Sequence, residues 1–353
     1  MSEPTTRGES AGPALVDWDI AASTAAVFVG GGPAVPPAEA QEAVAELTRL
    51  ARAAEHHVRE LTGMGAGLPI PEAVVLDRRA WVKAAASGLD ALTSRALAAQ
   101  PQTAEAMTGK RVMAKSAGVQ TGLALAFLGT KVLGQYEPFG QDGSGGRLLL
   151  VAPNIVHAER ALNVPAEEFR LWVCLHETTH RLQFSAVSWL TDYFVDEVGR
   201  FIAGIEDGQS NFFSRIPDVI RSARGGTLGL VEAMQSPSQR RAFDRLVALS
   251  TLLEGHADFV MDAVGPQVVP SVVKIRRRFT ERRKGGSLLD RLLRVLLGVD
   301  AKIQQYEQGG AFARHVHERV GMEGLNAVWR SPNTLPTRAE ISAPDAWLRR
   351  INP

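Results

Sequence analysis

The sequence holds one cysteine, Cys174, so no disulfide can form within the chain. That is compatible with a reducing compartment, and the expectation is a cytoplasmic protein. Charge of one sign is also lacking. Thirty-nine Lys and Arg face 38 Asp and Glu, a formal net charge of +1. A whole-molecule field that gathers nucleic acid or anionic lipid is therefore not expected. Long hydrophobic runs are missing as well. Stretches such as Ile20 to Val29 and Leu123 to Leu128 are far shorter than the roughly 20 residues of a membrane-spanning helix. The N-terminus shows no basic segment leading into an apolar one, so no secretory signal is expected. There is no internal repeat.

With 45% hydrophobic and 22% charged residues in 353, the composition is that of a globular protein with ample core-forming material. Residues 1–15, rich in Ser, Thr, Gly, Glu and Pro, read as a flexible tail. The remainder, 16–353, reads as one catalytic domain, with a helical part to residue 146 and a metal-site part from 147.

Apolar residues recur at helical spacing after Pro36-Pro37 as far as Leu61, and Gly63 closes the run. Further helices are expected over about Ala80–Gln100 and Ala104–Leu133. Arg147–Ala152 reads as a short buried strand, or alternatively as an edge strand able to pair with an extended peptide. Helices are then expected from Pro165 to about Phe184, over Thr191–Ile205, and from a Ser236 cap to Gly265. Another is capped by Ser287 and Asp290, and Trp347 falls in an irregular tail. The fold class is thus mainly α with a small β component.

The chemistry-bearing motif is His176-Glu177-Thr178-Thr179-His180 inside a predicted helix. Residues at i and i+4 share one helical face, so both imidazoles can reach one tetrahedral metal, with zinc the natural ion. Glu177 leaves the helix at a neighbouring angle, outside the ligand pair, where a carboxylate can serve as general base. The motif interrupts an apolar stripe of Phe169, Trp172, Val173 and Leu182, so both histidines are expected to point inward.

A third ligand is needed. The extended HExxHxxGxxH pattern is absent, since Gln183 and Ala186 stand at its Gly and His positions. Leu253-Glu254-Gly255-His256-Ala257-Asp258 offers a better source. Glu254 and Asp258 fall at i and i+4 on the apolar stripe of a later helix, where unpaired carboxylates are costly. The economical assignment gives Glu254 to one zinc per chain and leaves Asp258 to hydrogen-bond a ligand histidine. The bland alternative is an acidic pair held by Arg240, Arg241 or Arg245. Gly255 leaves room for a second helix to approach.

His256 leaves its helix on another face, toward the cleft or away from it. Its functional reading is a catalytic donor to a tetrahedral oxyanion. Tyr306, His315 and His317 are weaker candidates. Lys274–Lys284 carries seven positive charges and one negative. It reads as a solvated helix more readily than as a nucleic-acid patch. Cys174 reads as a small buried apolar residue.

The order HExxH, then ExxxD on a later helix, resembles the glutamate-ligand branch of zincins. Six segments are similar to a narrower group: LGQYEP (133–138), LLLVAPNI (148–155), LWVCLHETTHRLQF (171–184), LLEGHADFVMD (252–262), KIQQYEQG (302–309) and WRSPNTLPTRAEI (329–341). These resemble the actinobacterial zincin-like zinc-dependent metalloproteases, a family labelled as associated with deazaflavin coenzyme biosynthesis on genome distribution. The resemblance spans roughly 16–350. It implies a zincin-like fold with the cleft between two lobes. It carries His176, Glu177, His180 and Glu254 as metal-site residues and supplies no substrate. Arg181, where an uncharged residue is usual, suggests an unusual cleft wall. The functional expectation is a zinc metallopeptidase acting on a peptide or amide, away from membranes. The other classes are a non-catalytic binding module and an anion- or nucleic-acid-binding protein working through 274–284.

Overall fold

The computed structural model describes residues 15–101, 111–139, 146–206, 237–284 and 304–353. The order is α1 (Trp18–Phe28), α2 (Pro37–Thr62), β1 (Val74–Leu76), α3 (Arg78–Ala98), α4 (Arg111–Gly129), β2 (Gly134–Glu137) and β3 (Arg147–Val151). Then follow α5 (Ala152–Leu162), α6 (Ala166–Ala186), α7 (Leu190–Glu206), α8 (Pro237–Ala263), α9 (Val272–Lys284) and α10 (Gln304–Leu325). Two short 3-10 turns lead into α11 (Arg338–Ser342) and α12 (Pro344–Ile351). The fold is mainly helical with one three-stranded sheet, as the composition and periodicity implied.

Local chemistry explains several boundaries. Pro37 opens α2, and Gly63 ends it in the left-handed conformation at φ 68°. Asp17 and Asp77 accept from the backbone amides of Ile20 and Ala80, capping α1 and α3. Helix α4 stops at Gly129, short of the expected Leu133, because the chain turns to place β2 in the sheet. The strand order is β1-β3-β2, with β1 parallel and β2 antiparallel to β3. Strand β3 is therefore central, and the edge-strand alternative moves to β2, which the periodicity did not show.

Helix α6 runs through the main core and is packed nearly all round, by α2, α8 and the sheet. Even its arginines are buried, and each is paired. Arg170 donates to both carboxylate oxygens of Glu159 at 2.9 and 2.7 Å, and also to Glu46. Arg181 forms a two-pronged pair with Glu55 of α2. It lies behind the site rather than in the cleft, so the expectation of an unusual cleft wall from this residue is corrected. Trp347, expected in an irregular tail, is fully buried on α12 and packs edge-on against Phe312. Its indole N–H reaches the Thr334 carbonyl at 2.8 Å. Residues 1–14 of the expected tail and the Ser236 and Ser287–Asp290 caps lie outside the described residues, while Leu15 packs against the core. No described helix is long and apolar enough to cross a membrane.

Candidate metal centre

Helix α6 presents His176 and His180 on one face, with their Nε2 atoms 3.2 Å apart. Helix α8 crosses α6 and delivers Glu254. Its carboxylate oxygens lie 3.5 Å from His176 Nε2 and 3.7 Å from His180 Nε2. Four-coordinate zinc with bonds near 2.0–2.1 Å has ligand–ligand edges of about 3.3 Å. One Glu254 oxygen faces each imidazole, so the two Nε2 atoms and this carboxylate lie close to the separations that one zinc ion requires. They are the cluster of metal-competent groups found among the described residues. Each side chain keeps 15–20% of its surface exposed, so a face of the triad opens outward.

Two close approaches let the helices bring these groups together. A Cβ at Gly255 would sit 2.1 Å from the Gly309 carbonyl carbon, and one at Gly309 would sit 2.2 Å from the Thr251 carbonyl oxygen. Helices α8 and α10 therefore touch backbone to backbone at the turn that carries Glu254, the role the sequence suggested for Gly255. On the other side, a Cβ at Gly134 would fall 2.6 Å from Glu177 Cγ. Strand β2 thus lies directly on Glu177. Burial raises the Glu177 carboxyl from its ordinary 4.5 to about 7; nearby His180 opposes the rise and Glu254 adds to it.

The supports of the two histidines differ. Gln183 Nε2 lies 3.0 Å from the Leu253 carbonyl, which can only accept. The amide orientation is thereby fixed, and Gln183 Oε1 faces His180 Nδ1 at 2.9 Å. His180 must then donate from Nδ1, leaving the Nε2 lone pair for a metal. Asp258 Oδ1 stands 3.9 Å from His176 Nδ1, too long for a direct hydrogen bond. Arg276 of α9 holds the same oxygen at 3.1 Å and Asp262 at 2.9 Å, while its guanidinium lies 5.1 Å from the Trp172 ring centre. An arginine does pair with Asp258, but it comes from the basic segment rather than from positions 240, 241 or 245. Arg245 pairs with Glu197 instead.

His256 is fully buried and points away from the opening. Its Nδ1 lies 3.0 Å from Gln183 Nε2, and its ring stands edge-to-face against Trp329. Burial lowers its pKa to about 3, so it is neutral and accepts the amide hydrogen. The structure thus brings His256 to Gln183, not to the cavity. His315 pairs with Asp345 at 2.8 Å, and His317 packs on Phe259; neither approaches the triad. Tyr306 lies on α10, and its side chain is outside the described residues. Cys174 is fully buried, which raises its thiol pKa and leaves it inert. Arg278 of the basic segment donates to the carbonyls of Leu162 and Asn163 at the end of α5. Two arginines of the suspected anion patch are therefore engaged internally.

Sequence reasoning did not find Gln183, Arg276 or Gly134. Gln183 alone left a signal: a buried amide three residues after the second histidine. Beside the triad lies a cavity of about 940 Å³, walled by β2, by α1 and by α3 to α9.

A helix-borne HExxH completed by a glutamate from a second helix, under a small sheet, is the arrangement of zincin-type metallopeptidases. Residues 16–348 match the zincin-like metallopeptidase family, and the chain belongs to it. It is also similar to a crystal structure from Chloroflexus aurantiacus described as a "putative hydrolase with a novel fold". The two are 30% identical, covering 96% of this chain and 99% of that one, with a TM-score of 0.71. No curated protein sequence matches this one.

Proposed function

We propose that this protein is a zinc-dependent hydrolase that cleaves a peptide or amide bond, with residues 16–353 forming one catalytic unit. The observation that carries the reading is the open triad. Among the described residues two imidazoles and one carboxylate cluster closely enough for one ion and keep part of their surface exposed, whereas a structural site would add a fourth protein ligand. His176, His180 and Glu254 would hold the ion. Zinc bound there would supply Lewis acidity, polarising the scissile carbonyl and acidifying a water molecule.

The rest is done by the chain's own groups. Glu177 takes the proton from the attacking water and passes it to the leaving nitrogen. Burial raises its carboxyl pKa in the metal-free protein, which strengthens it as a base. Gln183 orients His180, and His256 backs Gln183 as a positioning residue. Asp258, held by Arg276, stands 3.9 Å from His176 Nδ1 and supports that ring by its charge rather than by a direct hydrogen bond. Strand β2, paired on one side to β3, offers its other edge beside Glu177 to an extended substrate. The narrower likeness, to the actinobacterial branch labelled with deazaflavin coenzyme biosynthesis, rests on the sequence segments and adds no substrate.

The experiment is a peptide-library screen at neutral pH with and without zinc, followed by two variants. Glu177→Gln should keep its zinc and lose about 100-fold or more of any zinc-dependent activity. His180→Ala should lose both metal and activity. A zinc-dependent activity left intact by Glu177→Gln refutes the mechanism.

A further inference from the structure

We propose that the substrate carries a large, uncharged hydrophobic group, seated in the cavity that runs from the metal triad to helices α1, α3 and α4. The proposal rests on the hydrolase reading and names the substrate class of that same site. At about 940 Å³ the cavity lies near the upper end of the range for whole small-molecule sites, roughly 300–1,000 Å³. Its space exceeds what one side chain beside a scissile bond would fill.

The walls say what that space accepts. Away from the triad they are mostly apolar, with Trp18, Trp81, Leu125, Leu128 and Leu246, interspersed with uncharged polar side chains such as Thr93 and Ser250. The charged lining residues are three carboxylates at the metal end, Glu177, Glu254 and Asp258, together with the exposed Lys131. Asp258 is already engaged by Arg276. A charged group pushed into the apolar part would lose its hydration, and the only charged side chains among the described lining residues are the carboxylates at the metal end and the solvent-exposed Lys131. An aliphatic or aromatic group would instead gain from leaving water, each buried methylene strengthening binding about fourfold. The group can be an acyl chain or neighbouring bulky side chains of a peptide; the shared chemistry is a neutral hydrophobic body of more than one side chain's size.

Hydroxamates test this, because their head binds zinc while the tail is varied. Affinities of the zinc-loaded full chain would be measured by calorimetry for acetohydroxamate, octanohydroxamate, 8-amino-octanohydroxamate and a Phe-Leu dipeptide hydroxamate. Octanohydroxamate should bind at least about 100-fold tighter than acetohydroxamate, allowing for the ordering of its chain. The terminal ammonium should erase most of that gain. The ratio of the octanoyl to the dipeptide affinity distinguishes an acyl from a peptidyl source. Ala124 lines the cavity on α4, and Ala124→Trp should cut the chain-length gain at least tenfold. Thr121→Trp serves if the first variant does not fold. Equal affinity for all tails, with acetohydroxamate still bound, overturns the proposal and leaves the metal-site reading standing. An unchanged chain-length gain in the folded cavity variant also overturns it. Failure of every hydroxamate to bind the zinc-loaded protein overturns the hydrolase reading and this proposal together.

Discussion

Glu177 permits a test that needs no substrate. Its side chain is only 7% exposed, with β2 lying on it and the triad beside it. Burial raises its carboxyl from 4.5 to about 7 in the metal-free protein. A folded-state pKa above the unfolded value means the native state holds that proton more tightly. Its contribution to stability is therefore complete below about 4.5, falls as pH rises, and is fully lost above about 7. The displacement corresponds to about 3 kcal/mol between those limits. Glu177→Gln keeps the shape and removes the titration. Metal-free Glu177→Gln should therefore gain on metal-free wild type as pH rises from 4.5 to 7, by about 3 kcal/mol in all. The assay is urea denaturation of both chelator-treated proteins at several pH values, comparing midpoints at equal slope. A stability difference that does not change with pH would show that Glu177 is solvated, and the placement of β2 upon it would be wrong. Zinc uptake below neutral pH should also release a proton in wild type that the variant does not release.

Three further outcomes follow from the site. Glu254→Ala should remove most bound zinc, whereas Asp258→Ala should weaken binding about 10–100-fold, as loss of a supporting group does; a chelator competition reads both. The reverse ranking would give the ligand role to Asp258. Gln183→Leu should lower zinc affinity by a similar 10–100-fold, because His180 loses the acceptor that fixes its tautomer; Gln183→Glu, which restores an acceptor, should recover much of it. Gly255→Val should destabilise the fold by about 2–3 kcal/mol in chemical denaturation, since its Cβ meets the α10 backbone. A neutral result there would contradict the backbone contact between α8 and α10.

The metal motif was legible because its geometry is local. His176 and His180 are one helical turn apart, and the helix fixes their face whatever surrounds it. Glu254 and Asp258 could be paired in the same way on α8. The long helices and their Pro and Gly boundaries were legible too, because capping and periodicity act over a few residues. The four-residue β2 was not, since nothing in GQYE alternates and its strand character comes from pairing with β3. Trp347 read as tail for a like reason: α12 is eight residues long and is held by its contact with Phe312.

What only the tertiary structure decided is which residues meet across the chain. Arg276 reads as one charge in a basic run, yet it bridges Asp258 and Asp262 and lies over Trp172. Arg181 reads as an intrusion on the cleft, but the pairing of α2 with α6 takes it to Glu55, behind the site. His256 sits two positions from a ligand and still turns inward to Gln183, because the crossing of α8 over α6 sets which face is buried. The sequence alone determined which groups could bind a metal, since that depends on residue type and helical pitch. The packing of helices far apart in sequence decided which of their neighbours hold those groups in place and what lines the cavity beside them.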